Sequence, residues 1–511
     1  LSEEEIADYK AQARFLRSYF YWLLLRKYGP VPLIPEETIS IDEDYMDMSY
    51  PRSSYDEVVN YISEEMALAA RSLPEKRDRQ NVNRSTKGAA LAVRAKVLLY
   101  TASPINNPRP DDSDKFSDFT DWQGRMLMSQ TYDESKWARA AAAAKDVIDL
   151  ANATGVYKLY TAPYQSKGDN AYPATVRPPY HSVYSNKDFP EGWADIDPFA
   201  SYRSIFNGDL YATENPELIF TRGNNALNDQ VRDLVLDHLP TNAGGRNRHG
   251  LTIKQCDAYD MADGSSFNLE TFLDTCEVDK RFVSEDEYNR GLYPQIRPRV
   301  WKEYANREPR FYADITFSNS KWFSGTEGDY TVDFTYSGNC GKAQGNNDFT
   351  STGYLVRKNM DSGDRNQNLV CVLLRLTNIY FDYIEALAYV DPSHADIWKY
   401  MNLIRERAGI PGYGTASLPK ATTTSEIMKL IQKEKRIELS FENCRYFDVR
   451  RWGLTNEFFN KPVHGMNVNY DGNEFYKRTE ITSRNFDRQY FFPIPQSEID
   501  IDKNLVQNEG F

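Results

Sequence analysis

Segments with the composition of packed helices occur at both ends of this chain, and a long stretch of different character separates them. Residues Glu3–Tyr28 contain no glycine or proline and carry apolar residues on almost every face, which predicts a helix buried on several sides. We expect helices at Glu3–Tyr28, Ser53–Ser72, Thr86–Ala102, Asp133–Ala153, Cys371–Val390, Ser393–Ala408 and Ser425–Cys444. The small residues in several of them favour close helix pairs. The pattern predicts a mostly α fold, a tetratricopeptide-like α-solenoid built from both ends of the chain.

The middle of the chain is rich in Gly, Pro, Asn and Tyr and has only short alternating runs. Two of these runs, Arg310–Ser318 and Tyr330–Tyr336, predict short β-strands. We therefore divide the chain into an N-terminal helical part (1–154), a loop-rich region (155–368) and a C-terminal helical part (369–511). Long loops in a compact protein are usually functional, so we place the ligand face in the loop-rich region and in the loop Pro104–Gln130.

Charge and cysteine content exclude several classes of protein. The net charge of −13 repels a phosphate backbone, so nucleic acid is not an expected partner. The five cysteines form no CxxC pair, although Cys256 and Cys276 could form a disulfide. No stretch reaches the roughly 18 apolar residues that cross a membrane. The chain starts inside a predicted helix, and we expect a secretion signal and a front segment to precede it.

The motifs of common enzyme classes are missing from the sequence. It contains no HExxH, GxSxG, Walker A or GxGxxG, and its five histidines do not fall at metal-ligand spacing. We therefore predict no catalytic residues, no metal and no cofactor. A glycoside hydrolase needs only two carboxylates across a cleft, so that alternative stays open in a chain with 74 acidic residues.

Several short sequence motifs, which occur in order along most of the chain, resemble those of the SusD/RagB family. Near the start is ARFLRSYFYWLLLRKYGPVPLI (Ala13–Ile34), and NPELIF, ADG and REPRF follow. The most specific motifs are EKRIELSFENCRYFDVRRWG (Glu434–Gly453) and FFPIPQSEIDIDKNLVQNEGF (Phe491–Phe511). In the first of them, Asn443 stands where the family usually has glycine. The resemblance implies a SusD-like fold and a non-enzymatic, lipid-anchored protein on the extracellular face of the outer membrane. It also implies glycan capture and delivery to a SusC-like TonB-dependent transporter.

The glutamates of Glu434–Gly453 repeat every four residues, at Glu434, Glu438 and Glu442. A column of like charges on a helix is unfavourable unless cations compensate it. Nearby candidates are Arg436, Arg445, Arg450 and Arg451. We therefore predict a structural role for this motif: its charged residues form a partly buried ion-pair network that holds the C-terminal helix to the solenoid.

Aromatic residues in irregular segments are the candidates for contact with a sugar. The chain has 35 Tyr, 26 Phe and 8 Trp, and an aromatic ring offers an apolar face to a pyranose. The segment from Tyr160 to Ala200 looks like an insertion within the family pattern and mixes aromatic residues with Asn, Asp and Arg. The predicted ligand-binding residues are Trp122, Trp193, Trp301, Trp322, Tyr180, Tyr184, Asn106 and Asn107.

Two other binding functions remain open. The ligand could be a peptide or another nutrient, which a complete lack of glycan binding would favour. The chain could also be a scaffold that recognises proteins alone. In that case alanine at Trp122, Trp193 and Trp301 would leave glycan retention unchanged.

Overall fold

The structure is a computed structural model that describes residues 1–35, 50–109, 115–166, 175–224, 229–324, 328–345, 347–360, 370–485 and 490–511. Its helices are α1 (Glu3–Tyr28), α2 (Tyr55–Ser72), α3 (Lys87–Ala102), α4 (Ser135–Thr154), α5 (Pro198–Arg203), α6 (Asp229–His238), α7 (Ile253–Cys256), α8 (Leu269–Thr275), α9 (Glu285–Asn289), α10 (Pro309–Asp314), α11 (Leu376–Val390), α12 (Ala395–Arg407), α13 (Thr424–Glu438), α14 (Arg445–Arg451), α15 (Thr455–Phe458), α16 (Gly472–Phe475) and α17 (Gln496–Ile501). No helix in these ranges is long and apolar enough to cross a membrane.

The strands are short and pair two by two. They are β1 (Ala162–Pro163), β2 (Ile196–Asp197), β3 (Leu218–Asn224), β4 (Ile315–Phe317), β5 (Lys321–Ser324), β6 (Gly328–Thr331), β7 (Tyr354–Val356), β8 (Val370–Arg375), β9 (Val463–Met466) and β10 (Arg478–Thr482). The antiparallel pairs are β1–β2, β3–β8, β4–β7, β5–β6 and β9–β10. The mostly helical, tetratricopeptide-like fold with a few short strands is confirmed.

Helices from both ends of the chain build one scaffold. Along the scaffold α1 packs on α2, α2 on α3 and α3 on α4, and α4 then packs on α11 from the C-terminal part. The final segment also returns to the start, because Asn508 Nδ2 donates to the carbonyl of Tyr28 over 2.9 Å. Arg52 Nη2 donates in turn to Asn508 Oδ1 over 2.7 Å. Residues of α1–α4 and α11–α13 share one hydrophobic core.

A second core lies within the loop-rich region. It gathers buried residues between 176 and 360 with Ile437, Met466 and Phe475 from the C-terminal part. Helix α13 contributes Ile427 and Ile431 to the first core and Ile437 to the second. This helix therefore joins the solenoid to the loop-rich region.

Three local predictions are wrong. Cys371–Val390 is not one helix, because its first residues pair with β3 as strand β8 and α11 begins only at Leu376. In Arg310–Ser318 the first residues form α10, where Pro309 sets the first helical position, and only Ile315–Phe317 is strand. Helix α1 is not buried on several sides, because its buried residues, such as Phe15, Trp22 and Leu25, lie on one face. One side of it exposes Leu16, Phe20 and Leu24.

The three glutamates of the motif Glu434–Gly453 lie in a buried ion-pair network. Cations from four other segments surround them: Glu434 pairs with Arg310 (2.7 Å) and Arg405 (2.8 Å), Glu438 with Arg310 (2.8 Å), Arg375 (3.0 Å) and Arg407, and Glu442 with Arg375 (2.8 Å) and Lys358 (2.8 Å). The network joins α13 to β8, α10, α12 and the segment after β7. These contacts are those that the predicted structural role of the glutamates requires.

The cations that we predicted for this network are the wrong ones. Arg436 is two residues from both Glu434 and Glu438, which places it on the opposite side of the helix, and it donates instead to Gln255 Oε1 over 3.0 Å. Arg445 follows the end of α13 and pairs with none of the three glutamates. Arg451 is buried but bonds Glu385 Oε2 over 2.7 Å.

Candidate functional site

Four aromatic residues of the Tyr160–Ala200 segment form what we call the aromatic platform: Tyr164, Tyr180, Tyr184 and Trp193. Tyr164, Tyr180 and Trp193 line a cavity of about 250 Å³. Trp193 stacks on Tyr184, with ring centroids 5.1 Å apart and planes 10° from parallel. Tyr180 is 75% exposed and Tyr164 is 54% exposed, whereas Trp193 and Tyr184 are buried. The platform thus has two rings open to a ligand and two that support them.

Local backbone structure fixes the platform. Strand β1 pairs with β2 through Ala162 and Asp197, which brings Tyr164 back beside the residues after Trp193. The N–H of Trp193 donates to the carbonyl of Tyr184 over 2.9 Å. A Cβ on Gly192 would lie 2.3 Å from that same carbonyl oxygen, so only glycine fits this turn.

The platform rests on the end of α12. Gly409 has φ +77°, and a Cβ there would lie 2.6 Å from Pro178 Cγ and 2.8 Å from Pro198 Cβ. The hydroxyl of Tyr184 also donates to the carbonyl of Gly412 over 3.5 Å. The segment that carries the rings therefore packs against the residues that follow α12 in the solenoid.

Polar groups accompany the rings. The guanidinium of Arg177 lies 3.5 Å from the ring centroid of Tyr164, and Asn186 Nδ2 donates to the hydroxyl of Tyr180 over 2.9 Å. Asp197 lines the cavity, and its Oδ1 accepts from the N–H of Ala200 over 2.8 Å. Burial raises the pKa of Asp197 above its ordinary value. Rings with an adjacent guanidinium, amide and carboxyl can stack on a sugar face and hydrogen-bond its hydroxyls.

Comparison with known proteins places the chain in a family. The sequence pattern described as "SusD family" matches residues 205–511, which is more than half of the chain. The chain belongs to the SusD family. A second pattern, described as "Starch-binding associating with outer membrane", matches residues 1–99. The family is thus one of carbohydrate-binding proteins associated with the outer membrane, and neither description names an enzyme.

Individual relatives are distant. SusD-like protein P2 of Formosa agariphila is 28% identical over 138 residues, which cover 26% of this chain and 24% of that protein. The match thus spans about a quarter of the relative's length. Among solved structures, BT4246 is 25% identical with a TM-score of 0.77, covering 100% of this chain and 85% of its own. A structure described as "with xylogluco-oligosaccharide" is 18% identical with a TM-score of 0.57, covering 99% of this chain and 82% of its own.

In this SusD-family chain, two of the predicted tryptophans are core residues. Trp301 is 3% exposed and packs against Tyr304 and Tyr476 in the second core. Trp322 is 0% exposed, with the guanidinium of Arg357 4.9 Å from its ring centroid. Neither ring can face a ligand in this structure, so the prediction is wrong for both. Trp301 lies outside the α-helices and strands, and Trp322 lies in the four-residue strand β5, which is too short to give a clear pattern in sequence.

The two predicted asparagines brace a loop. Asn107 Nδ2 donates to the carbonyl of Asp133 over 2.9 Å, and Asn107 Oδ1 accepts from the N–H of Asp133 over 2.8 Å. Asn106 Nδ2 donates to the carbonyl of Tyr100 over 2.8 Å. Both side chains are buried, so the structure does not support a ligand role for them. They connect the start and the end of the loop between α3 and α4.

Trp122 is exposed, but it belongs to a different segment. It is 52% exposed in a turn where Asp121 Oδ1 accepts from the N–H of Gln123 and of Arg125. It does not line the platform cavity. A ligand role for Trp122 stays a prediction and would require a second contact point for a long ligand.

Sequence reasoning missed three residues of the cavity: Tyr164, Arg177 and Asp197. All three lie in the segment that we had selected, but nothing in their spacing distinguishes them from its other polar and aromatic residues. The β1–β2 pairing and the contacts with α12 bring them together.

Metal and disulfide chemistry have no visible basis in the part of the chain that the structure describes. No group of three or more His, Cys, Asp and Glu side chains there could hold a metal ion. All five cysteines are free, so the disulfide considered for Cys256 and Cys276 does not form in this structure.

Proposed function

We propose that this protein binds an oligo- or polysaccharide at the aromatic platform without cleaving it. The observation that carries the proposal is the pair of exposed tyrosines, Tyr164 and Tyr180, at the rim of a cavity that also presents Arg177 and Asp197. A related fold has been solved with a xylogluco-oligosaccharide, which supports a saccharide as the class of ligand.

The expected affinity is modest. If one ring removes about 100 Å² of apolar surface from water, it contributes roughly 2.5 kcal/mol before the entropy of binding is subtracted. Two such rings with a few hydrogen bonds correspond to a dissociation constant between about micromolar and millimolar. Weak and reversible binding suits a protein that passes its ligand on.

The recipient that we propose is a SusC-like TonB-dependent transporter, with this protein on the extracellular face of the outer membrane through a lipid anchor. Family resemblance supports this part of the proposal. Co-purification of the protein with such a transporter from solubilised outer membranes tests it. Release of the protein as a free species in mild detergent would contradict stable docking.

A glycoside hydrolase is less well supported by the cavity. Its described lining contains one carboxyl group, that of Asp197, whereas the usual mechanism needs two that flank the scissile bond. Incubation with each bound glycan, followed by chromatography of the products, tests this alternative. Sugar release that a single carboxylate substitution abolishes would overturn the non-enzymatic function.

Affinity gel electrophoresis against a panel of plant, host and microbial polysaccharides tests the binding itself. We expect retention by at least one neutral glycan, and loss of retention in Tyr180→Ala and in Tyr164→Ala. Tyr470→Ala is the matched control, because Tyr470 is 54% exposed and lies outside the platform cavity. Equal retention of all three variants would overturn the platform. No retention by any glycan would favour a peptide or another nutrient.

A further inference from the structure

A second cavity, of about 470 Å³, lies between the C-terminal part and the segment that contains α7. Five cationic side chains line it: Lys254, Arg436, Arg445, Lys461 and Arg484. No carboxylate is among its described lining residues. The chain as a whole has 74 acidic residues against 61 basic ones. An all-cationic cavity therefore runs against the overall charge of the protein. We call it the cationic cavity.

None of these cations has an ionic partner among the residues that the structure describes. Within the described ranges, no carboxylate oxygen lies within 4.0 Å of any of the five charged groups. Lys254 Nζ donates to the carbonyl of Phe458 over 3.0 Å. Arg436 donates to Gln255 Oε1 and to the carbonyl of Lys254. By contrast, the charges of Glu434 and Glu438, on the same helix as Arg436, are paired with arginines.

Arg445 is the most informative of the five. Its guanidinium lies 4.4 Å from the ring centroid of Phe458, and its buried Nη1 has no hydrogen-bond partner within the described part of the chain. A buried guanidinium N–H without an acceptor is costly, so such groups are normally paired. Arg445 also lines the cavity, so an anion bound there would add a negative charge close to its guanidinium.

Burial and mutual repulsion both disfavour the charged forms of these groups. Burial, together with the positive charges of Arg436, Arg445 and Lys461, lowers the pKa of Lys254 to about 8. Burial lowers the pKa of Arg445 to about 9. An anion bound among them would offset this repulsion, which favours a negatively charged ligand at this cavity.

We propose that the cationic cavity binds the negatively charged group of an acidic saccharide, a carboxylate or a sulfate ester. Guanidinium groups match these planar or tetrahedral anions through paired N–H donors. The volume of about 470 Å³ is in the range of small-molecule sites, which favours a small ligand over a folded partner. Phe458, Tyr446 and Phe459 add ring surface beside the cations, as a sugar ring requires. The choice of a saccharide rests on the proposed function, whereas the choice of an anion does not.

Titration calorimetry of the full chain at low salt tests the inference with five probes: trigalacturonate, its neutral methyl ester, glucose 6-sulfate, inorganic sulfate and hexaglutamate. We expect binding of trigalacturonate or of glucose 6-sulfate, weakening of that binding at high salt, and at least tenfold weaker binding of the neutral ester. Affinity for inorganic sulfate equal to that for both charged sugars would overturn the saccharide. Tighter binding of hexaglutamate would overturn it in favour of an acidic peptide.

Variants identify the cavity. Lys461 and Arg484 are exposed, so Lys461→Gln and Arg484→Gln can change the charge without disturbing the core, and we expect each to weaken binding of the charged sugar about three- to tenfold. Arg445→Gln is expected to weaken it more. Lys503→Gln, at an exposed lysine outside the cavity, is the control and should have no effect. Unchanged affinity in all three cavity variants would overturn the assignment.

The same measurements separate this site from the platform. Tyr180→Ala should leave the binding of the small charged probes unchanged, while Lys461→Gln should leave retention by neutral glycans unchanged. Retention of neutral glycans together with no binding of any charged probe would remove the cationic cavity and leave the proposed function intact. Binding of charged sugars without any retention of neutral glycans would remove the aromatic platform as a binding site and leave the cationic cavity.

Discussion

Arg375 Nη1 lies 3.0 Å from Glu438 Oε1, and both side chains are completely buried. Arg375 ends β8 and Glu438 ends α13, so the pair joins the strand that enters the solenoid from the loop-rich region to the helix that spans both cores. Arg407 and Arg310 contact the same carboxylate. Removal of one partner from such a group leaves an uncompensated charge away from water.

Glu438→Gln should therefore lower the free energy of unfolding by about 3–5 kcal/mol, the usual cost of breaking a buried pair. Urea unfolding followed by circular dichroism measures it. Glu480→Gln, at an exposed glutamate on β10, is the control and should change stability by less than about 0.5 kcal/mol. A loss below about 1 kcal/mol for Glu438→Gln would contradict a structural role for the network.

The same substitution should alter the response to acid. Burial alone would raise the pKa of Glu438, but the surrounding arginines hold it below its ordinary value of 4.5. A carboxylate with a depressed pKa in the folded state contributes stability that is present above pH 4.5 and is lost as the pH falls toward the folded pKa. Unfolding curves between pH 6 and pH 3 should thus fall less steeply for Glu438→Gln than for the unaltered protein.

Supporting and ligand-facing aromatic residues should behave differently. Trp193→Ala removes the ring that stacks on Tyr184, so we expect a stability loss of about 3 kcal/mol together with loss of glycan retention. Tyr180→Ala should lose retention with a stability change below about 0.5 kcal/mol, because its ring is exposed. Chemical unfolding and affinity gels on the same samples separate the two effects. Equal stability losses would mean that Tyr180 is also structural.

Glu406 gives a pH dependence of the opposite sign. Burial and the negative charge of Glu191 raise the pKa of Glu406 to about 7. The folded state then holds the proton more tightly than the unfolded state, so this group's contribution is fully present below pH 4.5 and is lost as the pH rises through 7. Glu406→Gln should stabilise the protein by about 1 kcal/mol at pH 8. Melting temperatures at pH 8 and pH 5 measure it, and the gain should shrink at pH 5.

Asn443 occupies a backbone position that few residues tolerate. Its φ is +57°, in the left-handed region, and the family resemblance places glycine there. Asparagine accepts this conformation better than other non-glycine residues. Asn443→Ala should therefore cost about 1 kcal/mol in thermal or chemical unfolding, while Asn443→Gly should stay within about 0.5 kcal/mol. A neutral Asn443→Ala would show that the turn can relax.

Much of the helical scaffold can be predicted from sequence because its signals are local. The bounds of α1 are those expected, since Ser2 caps its first turn and Gly29 ends it. Thr86, the first residue of a predicted helix, caps α3, and Ser54, one residue after the predicted start at Ser53, caps α2. Periodicity, caps and breakers act within a few residues, so they can be read without knowing the rest of the fold. The family motifs are likewise short stretches of sequence, so the family too can be recognised without the fold.

The sequence alone determined the helical class, the two-ended solenoid and the family. Only the tertiary structure decided which cations compensate Glu438, which tryptophans are core, and which aromatic residues meet at one cavity. The cationic cavity likewise takes its lining from segments far apart in the chain, around 254, 436–445, 461 and 484. The physical reason is that burial and charge compensation depend on the segments that meet in space, whereas spacing along the chain reports only on neighbours.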